Sequence, residues 1–354
     1  MPKNASAFAT LPLIFVVIIL GLILAGFLLI KAGRNADLSQ RVGKPVPKKI
    51  GVIQHVKTLD PVYQGFKEGM SKLGYTEGDN VLFEYIDDGG DISKVRGITR
   101  DFINKKVDLI LVITTQALEQ TLKESTASGN AAVPIVFTNG STAIQQGLVK
   151  SFKSSGNNST GIIPDDTKVS AKKLDFLKDI NPGAKKVLIF TSPGAVAGEI
   201  SAQSAREGAK KLGITIVEYK FKNKPGPLST QELKDYISTL KPGDIDAIMT
   251  MPEPVVNSAP ENLKMLLDLS KRLKVPTFFV NLGQGGLIGY NLDLTDSGKQ
   301  AAEMADKILK GAKPADIPLG YSRKNYLEVN LKLAKELGIT IPDSIIAIAD
   351  RKIE

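Results

Sequence analysis

Apolar residues follow three different rhythms along this chain. From Leu11 to Ile30 they run without a single charge, interrupted only by Pro12, Gly21 and Gly26. About 20 apolar residues cross a bilayer as a helix, and a secretory signal core is shorter, about 7–15 residues. The run is therefore expected to be one transmembrane signal anchor that stays attached, rather than a cleaved signal peptide. A short tail over 1–10 precedes it and a polar linker over 31–48 follows it. Leu24-Ala25-Gly26 has the look of a lipid-attachment site, but Phe27 stands where the cysteine would be, and the chain has no cysteine at all.

From Lys49 onward two other rhythms alternate. Strand-length apolar runs such as "KIGVIQHV", "NVLFEYID", "VDLILVIT" and "VPIVFTN" are separated by stretches in which apolar residues return every three or four positions. In "DPVYQGFKEGMSKLGY" the residues Val62, Phe66, Met70 and Leu73 fall on one helical face, and in "ISKVRGITRDFINKK" so do Ile92, Val95, Ile98, Phe102 and Ile103. "VDLILVIT" is apolar on both faces, as in the middle of a parallel sheet. After "SSGNNSTGI" the alternation restarts, with a helix from Thr167 to Ile180, the strands "KKVLIFTS", "ITIVEYKF", "DAIMTM" and "VPTFFVN", and helices between them. The pattern predicts an α/β fold of two doubly wound lobes with parallel central sheets. In such sheets ligands sit beyond the carboxyl ends of the strands. Those ends carry His55, Asp87, Asp88, Thr114, Thr115, Gln116, Asn139, Thr191, Ser192, Glu253 and Asn281, a set of hydroxyls, amides and single carboxylates suited to a small polar solute.

Composition narrows the chemistry. With one histidine, His55, and no cysteine, thiolate and histidine-rich metal centres are excluded. No phosphate-binding loop, dinucleotide glycine spacing or Gly-x-Ser-x-Gly elbow occurs, so no catalytic residue, cofactor or metal is expected. "DDGGD" at 87–91 lacks calcium-loop spacing and is read as a turn. The formal net charge is +9, but the lysines alternate with acids, as in "KKLDFLKD", so a solvated surface is expected rather than a nucleic-acid partner. One observation opposes an outward-facing domain: Lys3 precedes the apolar run, whereas Lys31, Arg34, Arg41, Lys44, Lys48 and Lys49 follow it, which by the positive-inside tendency favours a cytoplasmic domain.

Several segments resemble the substrate-binding proteins of ABC importers, in the group that includes tryptophan and tyrosine receptors. They are "IGVIQHVKTLDPVYQGFKEGM", "GYTEGDNVLFEY", "GLVKSF" followed by "GNNSTGI", "INPGAKKVLIF", and the ending from Lys307, "KILKGAKPADIPLGYSRKNYLEVNLKLAKELGITIPDSIIAIADRKIE". The resemblance covers Lys49 to Glu354. It implies a type I periplasmic-binding-protein fold in which the chain crosses between lobes near Ile162, Tyr290 and Pro314. Lobe 1 is then 49–162 with 290–313, and lobe 2 is 163–289 with 314–354. It implies a monomeric extracytoplasmic domain, held at the cell membrane by a single pass, that captures an amino acid or related small carboxylate for an ABC permease. The alternative is a sensing module of the same fold that signals to a membrane partner.

The resemblance also implies roles. Thr114 and Thr115, with Gln116, match the place where hydroxyls and helix-start amides meet the ligand carboxylate. Asp293 matches a position for an acid that meets the ammonium. Glu253 stands where relatives carry a Thr-Asp-Asn type sequence, and His55 is followed by Val56 instead of proline. Ser141-Thr142 replaces an aspartate-proline pair. Without tryptophan, the cleft aromatics are Tyr63, Phe137 and Tyr290. Each residue has an ordinary alternative: Thr114, Thr115 and Asp293 as helix caps or surface groups, Asn139, Thr191, Ser192 and Asn281 as turn formers, Tyr290 as interlobe packing, and Phe137 as core.

Overall fold

The computed structural model describes residue 26 and residues 46–129, 133–257, 259–280 and 283–354, the side chains of residues 166–168 excepted. The anchor expected over 11–30, the tail before it and nearly all of the linker lie outside the described residues. Among the described residues no helix is long and apolar enough to cross a membrane.

Strands and helices alternate as the periodicity predicts. The folded chain opens with β1 (Lys48–Gln54), α1 (Asp60–Lys72), β2 (Val81–Asp87), α2 (Val95–Asn104), β3 (Leu109–Ile113), α3 (Thr115–Ala127), β4 (Ile135–Thr138) and β5 (Ser159–Ile163). It continues with α4 (Asp166–Ile180), β6 (Lys186–Thr191), α5 (Val196–Lys211), β7 (Thr215–Lys220), α6 (Pro227–Thr239), β8 (Ala247–Met249), α7 (Pro254–Asn257), α8 (Pro260–Leu273), β9 (Thr277–Phe279) and β10 (Ile288–Leu292). It closes with α9 (Leu294–Leu309), β11 (Gly320–Tyr321), β12 (Asn325–Asn330), α10 (Leu331–Leu337), α11 (Asp343–Ala347) and β13 (Arg351–Ile353).

Two sheets result. The first has the order β11-β5-β4-β3-β1-β2 and is parallel throughout. The second has the order β13-β12-β10-β9-β8-β6-β7. It departs from the expected all-parallel arrangement because β12 runs antiparallel to β10. Central strands are buried on both faces, as all five residues of β3 illustrate, whereas β2 and β7 at the sheet edges remain half-exposed. Each sheet is covered on both sides: Val62, Phe66 and Met70 of α1 join Ala301, Ala305 and Ile308 of α9 on one face of the first sheet, and Phe102 of α2 joins Leu118 of α3 on the other. Leu73, expected on the inward face of α1, lies just past the helix end and is 38% exposed.

The pairing shifts two lobe boundaries. Tyr290 is opposite Leu327 in the second sheet, which keeps β10 through Leu292. Gly320 and Tyr321 pair with Ile162 and Ile163 in the first sheet. The segment before them is held there too: the Thr160 hydroxyl donates to Ile317 O (2.9 Å) and the Ser154 hydroxyl to Ala315 O (2.7 Å). Residues 290–292 therefore belong with lobe 2 and 314–321 with lobe 1. The second and third crossings fall at Asp293 and at 322–324, instead of near Tyr290 and Pro314. Their backbones are tied together, since Asp293 N donates to Lys324 O (2.8 Å) and Ser322 N to Ile163 O (3.0 Å).

Candidate functional site

The crossings follow β5, β10 and β11, each of which runs parallel to a neighbour in its sheet. The chain thus leaves both sheets at their carboxyl ends, and those ends border the region between the lobes, where ligands bind in folds of this type.

In the first lobe, β3 is followed by Thr114, which has φ 109°, a left-handed value that strains a β-branched residue. Its N–H donates to Thr138 O (3.1 Å), and its hydroxyl accepts from Ala117 N (3.3 Å), capping α3. Thr115 is also buried, whereas Gln116 is exposed. The neighbouring strand β4 is followed by a second left-handed residue, Asn139 at φ 55°. Two adjacent strands thus finish in strained turns beside a helix N-terminus, whose free N–H groups and dipole favour an anion.

His55, at the end of β1, donates from Nδ1 to Asp88 Oδ2 (2.8 Å). The Asp88 side chain is completely buried and also accepts from Gly90 N (2.8 Å). "DDGGD" therefore does form a turn, and in addition orients the only histidine. Gln54 donates from Nε2 to Asp60 Oδ1 (3.0 Å), and the Tyr85 hydroxyl donates to the same oxygen (2.6 Å). Lys57 and then the Tyr85 hydroxyl pull the Asp60 carboxyl down to about 2, and burial pushes the Tyr85 hydroxyl up to about 12. Asp88 was expected at a strand end, but Gln54, Asp60 and Tyr85 had not been singled out from sequence. For Gln54 the available signal was its place at the end of β1.

In the second lobe, the Thr191 hydroxyl donates to Glu218 Oε1 (2.8 Å) and is committed to that bond. The Ser192 hydroxyl sits beside the Glu253 carboxylate and favours its charged form, without the geometry of a full hydrogen bond. Glu253 is 1% exposed and accepts from Val255 N (3.1 Å) and Val256 N (2.6 Å). Burial raises its carboxyl above the ordinary range. Asp293 accepts from Asp296 N (3.0 Å), capping α9, and pairs with Lys324 Nζ at 3.3 Å. Tyr290 accepts from Asn325 Nδ2 (3.0 Å) and meets Phe176 edge to face at 5.3 Å. Asn281 lies outside the described residues.

The expected cleft aromatics divide. Phe137 is 0% exposed, inside the core of the first lobe. Tyr63 stacks on Tyr85 at 4.8 Å.

Eight buried side-chain atoms have no hydrogen-bond partner among the described residues. Four of them lie at strand ends, Gln54 Oε1 and Thr138 Oγ1 in the last residues of β1 and β4 and Asn139 Oδ1 and Ser192 Oγ just after β4 and β6, while Asn257 Oδ1 is in the last residue of α7 and Gln284 Oε1 in the loop after β9. Buried polar atoms are normally satisfied, so this concentration marks where polar contacts remain to be made.

The chain is 27% identical over 335 residues to a tyrosine-binding protein of Clostridioides difficile (strain R20291), covering 90% of this chain and 92% of that one. The crystal structure of an ABC domain in complex with L-Trp from Streptococcus pneumonia matches with a TM-score of 0.69 and 26% identity, over 87% of this chain and 100% of that one. The ligand-free, open structure of a substrate-binding protein with adhesive properties from Clostridium difficile matches with a TM-score of 0.72 and 25% identity, over 87% and 100%. The model of the ABC transporter substrate binding protein family matches residues 49–353, and the chain belongs to that family.

Proposed function

We propose that the protein is the solute-binding subunit of an ABC importer and that it captures an amino acid, or a related small carboxylate, between its lobes. The observation that carries this reading is the set of unpartnered buried polar atoms at the strand ends of both sheets, together with the strained helix start at Thr114. No bond is made or broken in this role. A ligand that touches both lobes stabilises the closed form by its differential affinity, and a permease recognises that form. Thr114, Thr115 and the first N–H groups of α3 receive the carboxylate; His55 and Asn139 line the same end of lobe 1. Ser192 and Glu253 face them from lobe 2. Thr191, Tyr290 and Asp293, each with a partner of its own, act behind the contact surface. The relatives named for tyrosine and L-Trp make aromatic amino acids the first ligands to try.

The test is a thermal-shift panel on the fragment Lys44–Glu354 with the amino acids, small acids, sugars and nucleosides. A ligand at 100 times its dissociation constant adds about 2.7 kcal/mol of stability. One responding class, led by amino acids, is expected; a flat panel on folded protein overturns the reading.

The uncharged run at 11–30 holds the domain on the outer face of the cell membrane, and the linker gives it reach. A reporter fused after Glu354 is expected to be active outside the cytoplasm. Activity only inside would vindicate the basic residues that follow the run and end the import reading.

A further inference from the structure

Two of the residues expected at the site are acids, Asp293 and Glu253. Asp293 is already used, since it caps α9 through Asp296 N and pairs with Lys324, which also lies 3.6 Å from Asp350. Glu253 is different. It is buried in the turn after β8, and among the described residues the influences on its charge are burial, two backbone N–H groups and the Ser192 hydroxyl, with no lysine, arginine or histidine among them. The two N–H bonds make it a cap for α7, a helix of four residues. A neutral serine or asparagine would cap as well, and without the cost of burying an unpaired charge. The cap explains an oxygen at this position but leaves the charge unexplained.

The surroundings supply more acceptors. Ser192 Oγ and Asn257 Oδ1 are buried without partners, and Asn257 is held against the site because its Nδ2 donates to Glu253 O (2.7 Å). Gly198 lets the first turn of α5 close over the group: a Cβ there would stand 3.0 Å from Glu253 Cβ and 3.3 Å from Pro252 O. A carboxylate, a hydroxyl oxygen and an amide oxygen answer the three N–H donors of an ammonium group.

We infer that Glu253, aided by Ser192 Oγ and Asn257 Oδ1, is the specificity residue that receives the ammonium group of the ligand, while Asp293 serves the crossing between the lobes. The inference rests on the amino-acid reading of the site. The ligand reaches the carboxylate as the first turn of α5 and the start of α7 part, and its ammonium supplies the missing cation. The two charged ends of the ligand are then divided, with the carboxylate on lobe 1 and the ammonium on lobe 2, so that only an amino acid of the right length draws the lobes together.

The test is calorimetric titration of the full-length protein with each amino acid that binds and with the same molecule lacking its amino group, such as L-tyrosine against 3-(4-hydroxyphenyl)propionate and L-tryptophan against indole-3-propionate. The unmodified protein is expected to prefer the amino acid by about 100-fold, the order of a buried charged hydrogen bond. Glu253→Gln is expected to reduce that preference to about 3-fold or less, Ser192→Ala to lower it about 3-fold, and Asp293→Asn to leave it intact. Melting curves provide a second readout. Because burial raises the Glu253 carboxyl in the folded state, its ionisation opposes folding as pH rises through that raised value. Glu253→Gln should therefore melt no lower than the unmodified protein at pH 7 and lose that advantage at pH 4. A preference that survives Glu253→Gln, or that disappears with Asp293→Asn, overturns the inference while the amino-acid reading stands. If none of the amino acids binds the folded, unmodified protein, both fall together.

Discussion

Gly298→Ala is expected to destabilise the protein by about 3 kcal/mol or more, at the upper end of what overpacking costs. A Cβ at Gly298 would lie 2.0 Å from Val62 O and 2.6 Å from Phe66 N, both backbone atoms of α1. The contact is reciprocal, since a Cβ at Gly65 would lie 2.0 Å from Thr295 O on α9. The two helices meet along Gly65, Gly69, Gly298 and Ala302, so the backbones, with no flexible side chain between them, set the separation. Relief would require α9 to move off α1, and the start of α9 is held by the Asp293 cap and by the bond from Asp293 N to Lys324 O. Gly97 gives the control: it lies in α2 with nothing within 4 Å of a Cβ, so Gly97→Ala should stabilise by up to about 1 kcal/mol. Urea denaturation of both variants decides the matter. Equal effects at the two positions would show that the α1–α9 contact does not limit stability.

Phe137→Ala is expected to cost about 3–5 kcal/mol, the range for deleting a buried aromatic ring. The ring is fully buried among Ile53, Val112, Ala143 and Val149. Two glycines make room for it: a Cβ at Gly140 would come 2.6 Å from the ring, and one at Gly161 2.2 Å from Phe137 O. Ligand affinity per folded molecule should stay unchanged, because the ring is fully buried in the core of the first lobe. Titration at a temperature where the variant is still folded separates the two effects. A loss of affinity with little loss of stability would return Phe137 to the cleft, where its neighbourhood in sequence first suggested it.

The case of Phe137 shows where legibility stops. In "VPIVFTN" the run is plainly a strand, but how far it extends, and so whether Phe137 lies within it or at its open end, depends on pairing with β3 and β5. The alternation of strands and helices was readable because apolar spacing is a local property. The antiparallel β12 and the two-residue β11 were not, since their partners lie far away in sequence, at β10 and β5. The candidate site follows the same division. That polar residues gather at the strand ends was visible in the chain. Which of them are already committed was not, because the partners come from elsewhere: Glu218 for Thr191, Lys324 for Asp293, Asn325 for Tyr290 and Asp88 for His55. Burial of Glu253 with no cation beside it among the described residues is likewise a property of the assembled lobe.

The crossing pattern also sets a timetable. Lobe 1 lacks α9 and β11 until residues 294–321 have been made, and lobe 2 lacks β12 and β13 until the last residues, 325–354, are in place. Neither lobe is a contiguous piece that a growing chain can complete early. As synthesis proceeds from the N-terminus, α1 waits for a helix that begins more than two hundred positions later, and the second sheet waits for the strands beside β10. Neither sheet can therefore be completed until its late strands, β11 for the first and β12 and β13 for the second, have been made.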